Sequence, residues 1–499
     1  MKKTLALCLA ALMLAMPLAS CAQTEETPTD TTASSADITA ADITTEAVTT
    51  EDPLADNLPE ELDFGGYNFR IGSTEKETRW YEYIVRDEQN GETLNDAIFD
   101  ANLAVADRFG VTFSYVPMAE SNTNCYKALV ASAQAGDEVY DIATIHDGNS
   151  TVAMLQGVLR DVHELKYINL EKPWWPEHTT NALTVNGRMY QIANSMSYYG
   201  LYSTRAIFFN KGLMKDMGIA MPYDKVREGK WYFDDLMAMT KDVYSDLDND
   251  GVRSLGDRYG FSITGATYCW QESFGIDAFQ LDGSGKITEN WMSDRNVTAM
   301  QKLNQWVFGG TPGVWYTAKH KQVRDDGCGG MFAKGNVLMA CHSLGVMTES
   351  CLESDVEFGI VPLPKMDEEQ KNYYGGSVDN PVVIPITTKD MERTGAIIEA
   401  MSAEGYKKVQ PAYTESVMKA RYATDKDSVE MLDLLFNNRL LAAGYLYAPS
   451  KNRVQLMQDV VWAQATSNAS VVSAYESIKN ESTARLNELN EFFFKAKQQ

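Results

Sequence analysis

From about residue 64 onward, short strand-like runs alternate with longer helix-like ones, and this alternation narrows the architecture more than any other property of the sequence. Elements in that order build a sheet with helices packed across it, an α/β arrangement. "YNFRIGS" at 67–73 reads as a strand. "TLNDAIFDANLAVADRFG" then places Leu94, Ile98, Ala101 and Val105 at i, i+4, i+7 and i+11, which predicts an amphipathic helix. Thr93 and Asp96 are spaced as its capping box, and Gly110 is its stop. "VTFSYV" and "VYDIATI" follow as strands, the second running into His146-Asp147-Gly148-Asn149, and "AIFFN", "YGFSI", "NVLMACH", "EFGIVPL" and "PVVIPI" come later. Beyond Thr388 the pattern is almost wholly helical, with no internal repeat.

A chain of 499 residues exceeds one ordinary core and implies two or three domains. Its formal charge of −25 argues against nucleic acid, because nothing in it would neutralise a row of phosphates. The start, "MKKTLALCLAALMLAMPLASC", has two lysines, an apolar run from Leu5 to Met16, then small residues, the pattern of an export signal. That run is too short to span a bilayer, and no later stretch is long and apolar enough to do so. Leu18-Ala19-Ser20-Cys21 resembles a bacterial lipobox, which makes Cys21 the candidate lipidation site, and two acyl chains supply a stable anchor. Residues 22–58 hold ten threonines and nine acids but no Lys, Arg or aromatic residue, so they read as a disordered tether of about 35 Å root-mean-square span. Of the remaining cysteines, Cys125, Cys269, Cys328, Cys341 and Cys351 form an odd set with no zinc spacing and are expected as buried small hydrophobes.

Three motifs suggest chemistry. "FAKGNVLMACHSLGVM" ends an apolar run at Ser343, like the nucleophile elbow of a lipase. An elbow needs glycine two positions before the serine, where this chain has Cys341, and no acid partner is assignable. "DLDNDGVRSLGD" places Asp246, Asp248 and Asp250 at positions 1, 3 and 5 of a calcium loop, Gly251 at the turn, the Val252 carbonyl at 7 and Asp257 at 12. Asp at 12 in place of Glu, and Arg253 at 8, make it a lone structural Ca²⁺ site, set against a metal-free Asp-rich turn. "LDGSGKIT" fails the spacing of a phosphate loop and reads as a hairpin turn.

Several stretches, in order, resemble the family 1 extracellular solute-binding proteins that feed ABC importers. They are "NDAIFDANLAVADRFGVTFSYV", "YDIATIHDGNSTVAMLQGVLRDVHEL" with its G-x-L-x-D-L-like turn, "AIFFNKGLMKDMGI" and "FAKGNVLMACHSLG", and "EKPWW" is similar to a subgroup with a Trp pair. The likeness covers most of residues 64–465. It implies a two-lobed periplasmic-binding-protein-like fold of type II, with lobes joined by hinge crossovers and a helical C-terminus. The expected division is 1–21 signal, 22–58 tether, 59–198 with 336–388 as the first lobe, and 199–335 with 389–499 as the second. Relatives also carry similar acidic loops, which favours calcium.

The resemblance further puts Ser343 at a strand end facing an interlobe cleft, as a hydrogen-bond donor to ligand. Trp80, Trp174, Trp175, Tyr198, Tyr199, Trp270 and Trp291 fall in stretches that resemble interlobe loops or strand ends. Sugar rings stack on such faces while their hydroxyls need polar partners. Asp147 and Asn149 stand at a strand's carboxyl end, where open α/β sheets bind ligands, and are the expected hydroxyl acceptors. Trp80, Asp147, Asn149, Trp175, Tyr199, Trp270 and Ser343 make up the candidate ligand set. The implied function is a non-enzymatic, lipid-anchored, monomeric carbohydrate carrier at the cell surface, partnered by ABC permease subunits and touching the membrane only through its lipid. The alternatives are a surface glycoside hydrolase or esterase, and an adhesin that binds without lobe closure.

Overall fold

The computed structural model describes residues 52–75, 79–119, 124–264, 268–276, 279–290, 292–316, 326–377, 380–419, 426–441, 446–447 and 470–495. The export signal, Cys21 and the tether up to residue 51 lie outside the described residues, as does Trp291. Of residues 52–58, expected within the tether, Asp56 and Leu58 instead contact the body. Leu58 is buried, and Arg108 pairs with Asp56 at 2.6 Å.

Two sheets organise the body. In the first the strand order is Val382–Val383, Ile142–Thr144, Tyr67–Ser73, Val111–Pro117, all parallel except Val382–Val383. Phe69 and Ile71, on its central strand, have no exposure. The crossover helix Thr93–Phe109 buries Ile98, Ala101, Val105 and Phe109 against it. Gly110 ends that helix in the left-handed region at φ 59°, with its N–H on the Ala106 carbonyl, as the sequence predicts. The capping box does not form. Glu92 is the N-cap, Thr93 is already helical, and the Asp96 carboxylate accepts the N–H groups of Asn90 and Gly91 at 2.9 and 3.2 Å. These bonds, the one from Asn90 first, hold its pKa below the ordinary aspartate value.

The second sheet runs Phe358–Val361, Arg205–Asn210, Val337–Ser343, Arg258–Ile263, Tyr244–Ser245, with Val314–Tyr316 also paired to Arg258–Ile263. Val337–Ser343 is buried along its whole length, antiparallel to Arg205–Asn210 and parallel to Arg258–Ile263. Each aliphatic side chain so buried contributes roughly 1.5–3 kcal/mol. This pairing corrects the expected division. Residues 337–343 and 358–361, assigned to the first lobe from sequence, are strands of the second sheet, and of that stretch only Val382–Val383 joins the first. Met391–Glu404, assigned to the second lobe, buries Ala396, Ile397 and Ile398 in the core of the first sheet.

The C-terminal part is helical as expected, with the helices Met391–Glu404, Gln410–Lys419, Lys426–Asn437 and Val471–Phe494. The last of these is 24 residues long. Its Asn490 side chain brackets Ile287 at 2.8 and 2.9 Å, on the hairpin Phe279–Leu281/Ile287–Glu289 predicted from "LDGSGKIT". Less than a turn further on, the Phe493 carbonyl accepts the Asn186 Nδ2–H at 2.9 Å, and Phe492 and Phe493 pack on Tyr190. The five body cysteines are buried thiols, as expected, and burial pushes Cys328 up to about 12. No helix among the described residues is long and apolar enough to cross a membrane.

Candidate functional site

At the carboxyl end of the first sheet, two parallel neighbours finish on hydroxyl residues. Gly72 pairs with Ala143, so Ser73 and Thr144 come next to each other in register. Both are buried, and among the described residues neither Oγ has a hydrogen-bond partner. A buried hydroxyl left so costs roughly 1–3 kcal/mol, and strand carboxyl ends are where open α/β sheets meet their ligands. Thr144 leads through His146 into the helix Asp147–Leu155, whose first turn carries Asn149, half-buried. The Asp147 and Trp80 side chains lie outside the described residues, although both backbones are helical, Trp80 in Arg79–Glu82.

The chain then crosses between sheets through the helical turn Tyr199–Ser203, which feeds directly into Arg205–Asn210. Tyr83, from the first-sheet side, sits under this turn with its ring 4.8 Å from Tyr198, 4.9 Å from Tyr199 and 5.7 Å from Tyr202. Tyr202 donates its hydroxyl to Glu349 at 3.0 Å. Gly345 lies so close beneath that a Cβ there would enter the Tyr202 ring. Ser343 arrives at the same place: it pairs with Arg205, and the Leu344 N–H bonds the Thr204 carbonyl at 2.9 Å. Tyr199 and Ser343, chosen far apart in sequence, are thus brought to one junction.

Ser343 has no elbow geometry. It is 4% exposed, and its own N–H donates to His342 Nδ1 at 2.8 Å, with Oγ 3.2 Å from the same nitrogen. A nitrogen already accepting a backbone N–H is poorly placed as a general base. Burial, with the nearby Arg205 charge, lowers His342 to about 3.

Three of the expected stacking platforms belong to the core. Trp270 has no exposure and packs against Phe233, Phe261, Phe274 and Trp306, which leaves no face for a ligand. Trp174 and Trp175 are also buried. Both indole N–H groups donate to one carboxylate, Glu399, at 2.9 and 3.1 Å. The pair "WW" is a structural clamp. Sequence reasoning missed Ser73, Thr144, Tyr83 and Tyr202, although a small polar residue closing "YNFRIGS" or "DIAT" was a readable signal.

Residues 94–408 match the family model described as "Bacterial extracellular solute-binding protein". The chain belongs to this family. No curated protein sequence matches this solute-binding protein. Solved structures share its fold at low identity. A cyclo/maltodextrin-binding protein complexed with maltotetraose is 14% identical with a TM-score of 0.54, covering 87% of this chain and 98% of that one. Maltose-bound MalE3 of T. maritima is 16% identical with a TM-score of 0.52, covering 84% and 100%. UgpB from Mycobacterium tuberculosis in complex with glycerophosphocholine is 15% identical with a TM-score of 0.51, covering 85% and 99%. The family places this solute-binding protein outside the cytoplasm.

Its acidic loop folds back on itself in the second sheet's periphery. Asp246, Asp248 and Asp250 each bring a carboxylate oxygen within 4.8 Å of the others. Left-handed Asn249 and Gly251 make the tight wrap, and the N–H groups of Gly251 and Val252 donate to Asp246 and Asp250 at 2.9 and 2.6 Å. Asp257 departs from the expectation. It is buried outside this cluster and spends its two oxygens on the N–H groups of Leu247 and Ser254, at 3.2 and 2.9 Å. Arg253 braces the loop by stacking on Tyr244 and Tyr259 and donating to the Pro312 and Val314 carbonyls. The three aspartates fit a hard cation, because Asp246 Oδ1 is buried with no partner among the described residues. The hydrogen bond from the Asp250 N–H pulls Asp248 down, but desolvation and the facing charges of Asp250 and Asp246 outweigh it and raise its pKa. A bound cation relieves that repulsion.

Proposed function

We propose that this solute-binding protein captures a carbohydrate at the carboxyl ends of the first sheet's strands and passes it to an ABC importer. The observation that carries this reading is the pair of partnerless buried hydroxyls, Ser73 and Thr144, on the approach to Asp147 and Asn149. The tyrosine cluster at the sheet junction adds aromatic faces for a sugar ring. Structures of the same fold, bound to maltotetraose and maltose, support the ligand class. In this reading each sheet is the core of one lobe, and the sugar touches both lobes only when they close, so binding shifts the population to the closed form. A permease then recognises that form. Catalysis is not part of the function, and maltotetraose incubated with the protein should be recovered intact.

Calorimetric titration with maltose and maltotetraose tests the assignment. Binding is expected, with a smaller radius of gyration by X-ray scattering, and Tyr199→Ala should weaken it about tenfold through the lost ring face. Absence of binding to both sugars, or binding with no change in scattering, would remove the proposal.

In this reading Cys21 carries the lipid, and the mature protein is a monomer held at the cell surface. Cys21→Ala should release it from membranes into the medium. Asp246, Asp248 and Asp250 hold a structural Ca²⁺, which supplies positive charge to cross-link the loop. EDTA should then lower Tm by at least about 2 °C, since ligand at ten times Kd contributes roughly 1.4 kcal/mol. Asp246→Ala should abolish the difference. An unchanged Tm with chelator would exclude the metal.

A further inference from the structure

Behind the segment that joins the two sheets lies a cleft of about 680 Å³, a volume typical of small-molecule sites. The turn Tyr199–Ser203 fixes its position. At about 100° per residue, Tyr199 and Tyr202 share the face that packs on Tyr83, while Leu201 points the opposite way. Leu201 lines the cleft, and Ser73, Thr144, Asn149 and Ser343 do not. The cleft is therefore on the reverse side of the crossing from the strand-end site.

Its walls come from both halves of the body. One is the segment around Trp175, part of the first sheet's core. The other is the end of helix Lys426–Asn437, which docks on the second sheet's edge where the Ile360 N–H bonds Ser428 Oγ at 3.1 Å. Arg439, 3% exposed, also lines it. The charges on the lining cancel, Glu171 and Glu177 against Lys172 and Arg439, so no ion is selected. What remains is neutral and double-edged: Asn181, Gln410 and Asn437 can each donate and accept, and the Thr184 hydroxyl, which donates to the Thr180 carbonyl at 2.8 Å, can accept, beside the ring faces of Tyr406 and Phe436. Hydroxyls that both donate and accept, on a carbon frame with apolar faces, answer that lining.

We propose that this cleft is a second binding site, separate from the one at the strand ends, for a neutral polyhydroxy molecule of monosaccharide to disaccharide size. An occupant contacts both halves from the side opposite the first ligand, and so its binding is coupled to their relative orientation.

Saturation-transfer NMR and calorimetry with D-glucose and maltose, up to about 50 mM, test it on the full protein and on Tyr199→Ala, Thr184→Trp and Asn437→Trp. Circular dichroism and Tm establish that each variant folds. The two tryptophans fill the cleft from different elements, so one misfolded variant does not end the test. The expected result is a binding event that Tyr199→Ala leaves within about twofold and that either tryptophan weakens by at least about tenfold. If Tyr199→Ala removes all binding and the tryptophans remove none, the cleft proposal is wrong and the strand-end reading stands. If only the cleft variants matter, the strand-end reading fails and the cleft stands. No binding of either sugar to the native protein overturns the second site.

Discussion

Replacing Glu399 with alanine is expected to destabilise the protein by roughly 2–6 kcal/mol, the cost of leaving two buried donors unsatisfied. The carboxylate has no exposure and accepts both indole N–H groups of Trp174 and Trp175, 225 and 224 residues away in sequence. Without it two buried donors are orphaned, each at a cost of roughly 1–3 kcal/mol. The same residue gives stability a pH dependence. Burial raises Glu399 to about 7, against the ordinary 4.5 of an unfolded chain. Between those values the folded protein holds the extra proton, so this group's contribution is complete below pH 4.5 and is lost as the pH rises through 7. The loss amounts to about 3 kcal/mol. Urea unfolding at pH 5 and pH 8 should show it in the native protein and not in Glu399→Gln, whose amide keeps one acceptor and no charge. Equal pH dependence in the two would disprove the account.

His342 works in the opposite direction. Its Nδ1 accepts the Ser343 N–H, and burial followed by the Arg205 charge lowers it to about 3, against 6.5 unfolded. Here the unfolded chain takes the proton first, so the stability contributed by His342 is complete above pH 6.5 and is lost as the pH falls toward 3, by up to about 5 kcal/mol. Protonation would also set one donor against another at Ser343. The acid-unfolding midpoint should shift downward in His342→Asn, which retains an acceptor and does not titrate. A midpoint unmoved in that variant would show that carboxylates alone govern the acid limb.

The strands were legible because β-branched and aromatic runs announce themselves. Their partners were not. Val337–Ser343 is buried on both faces and reads as one apolar run, which names no sheet, so its place beside Arg205–Asn210 was assigned to the wrong half. Thr93 and Asp96 have capping-box spacing, but the box depends on which residue stays outside the helix, and here Asp96 turns back to Asn90. The tryptophans show the limit most clearly. An indole that stacks on sugar and one that donates to Glu399 look alike until the distant carboxylate is brought to it. For the acidic loop, the three aspartates at alternate positions came together, whereas Asp257 was drawn under the backbone. Ser73 and Thr144 are legible as small polar strand ends, but the isolation of their hydroxyls exists only once the sheet is assembled.

The bond from Asn186 to the Phe493 carbonyl closes a loop of 307 residues. Such a long closure is slow, since its entropy is lost before its contacts are gained. The contact between these two segments is therefore expected to form late in folding, after the second sheet, whose strands lie between them in sequence.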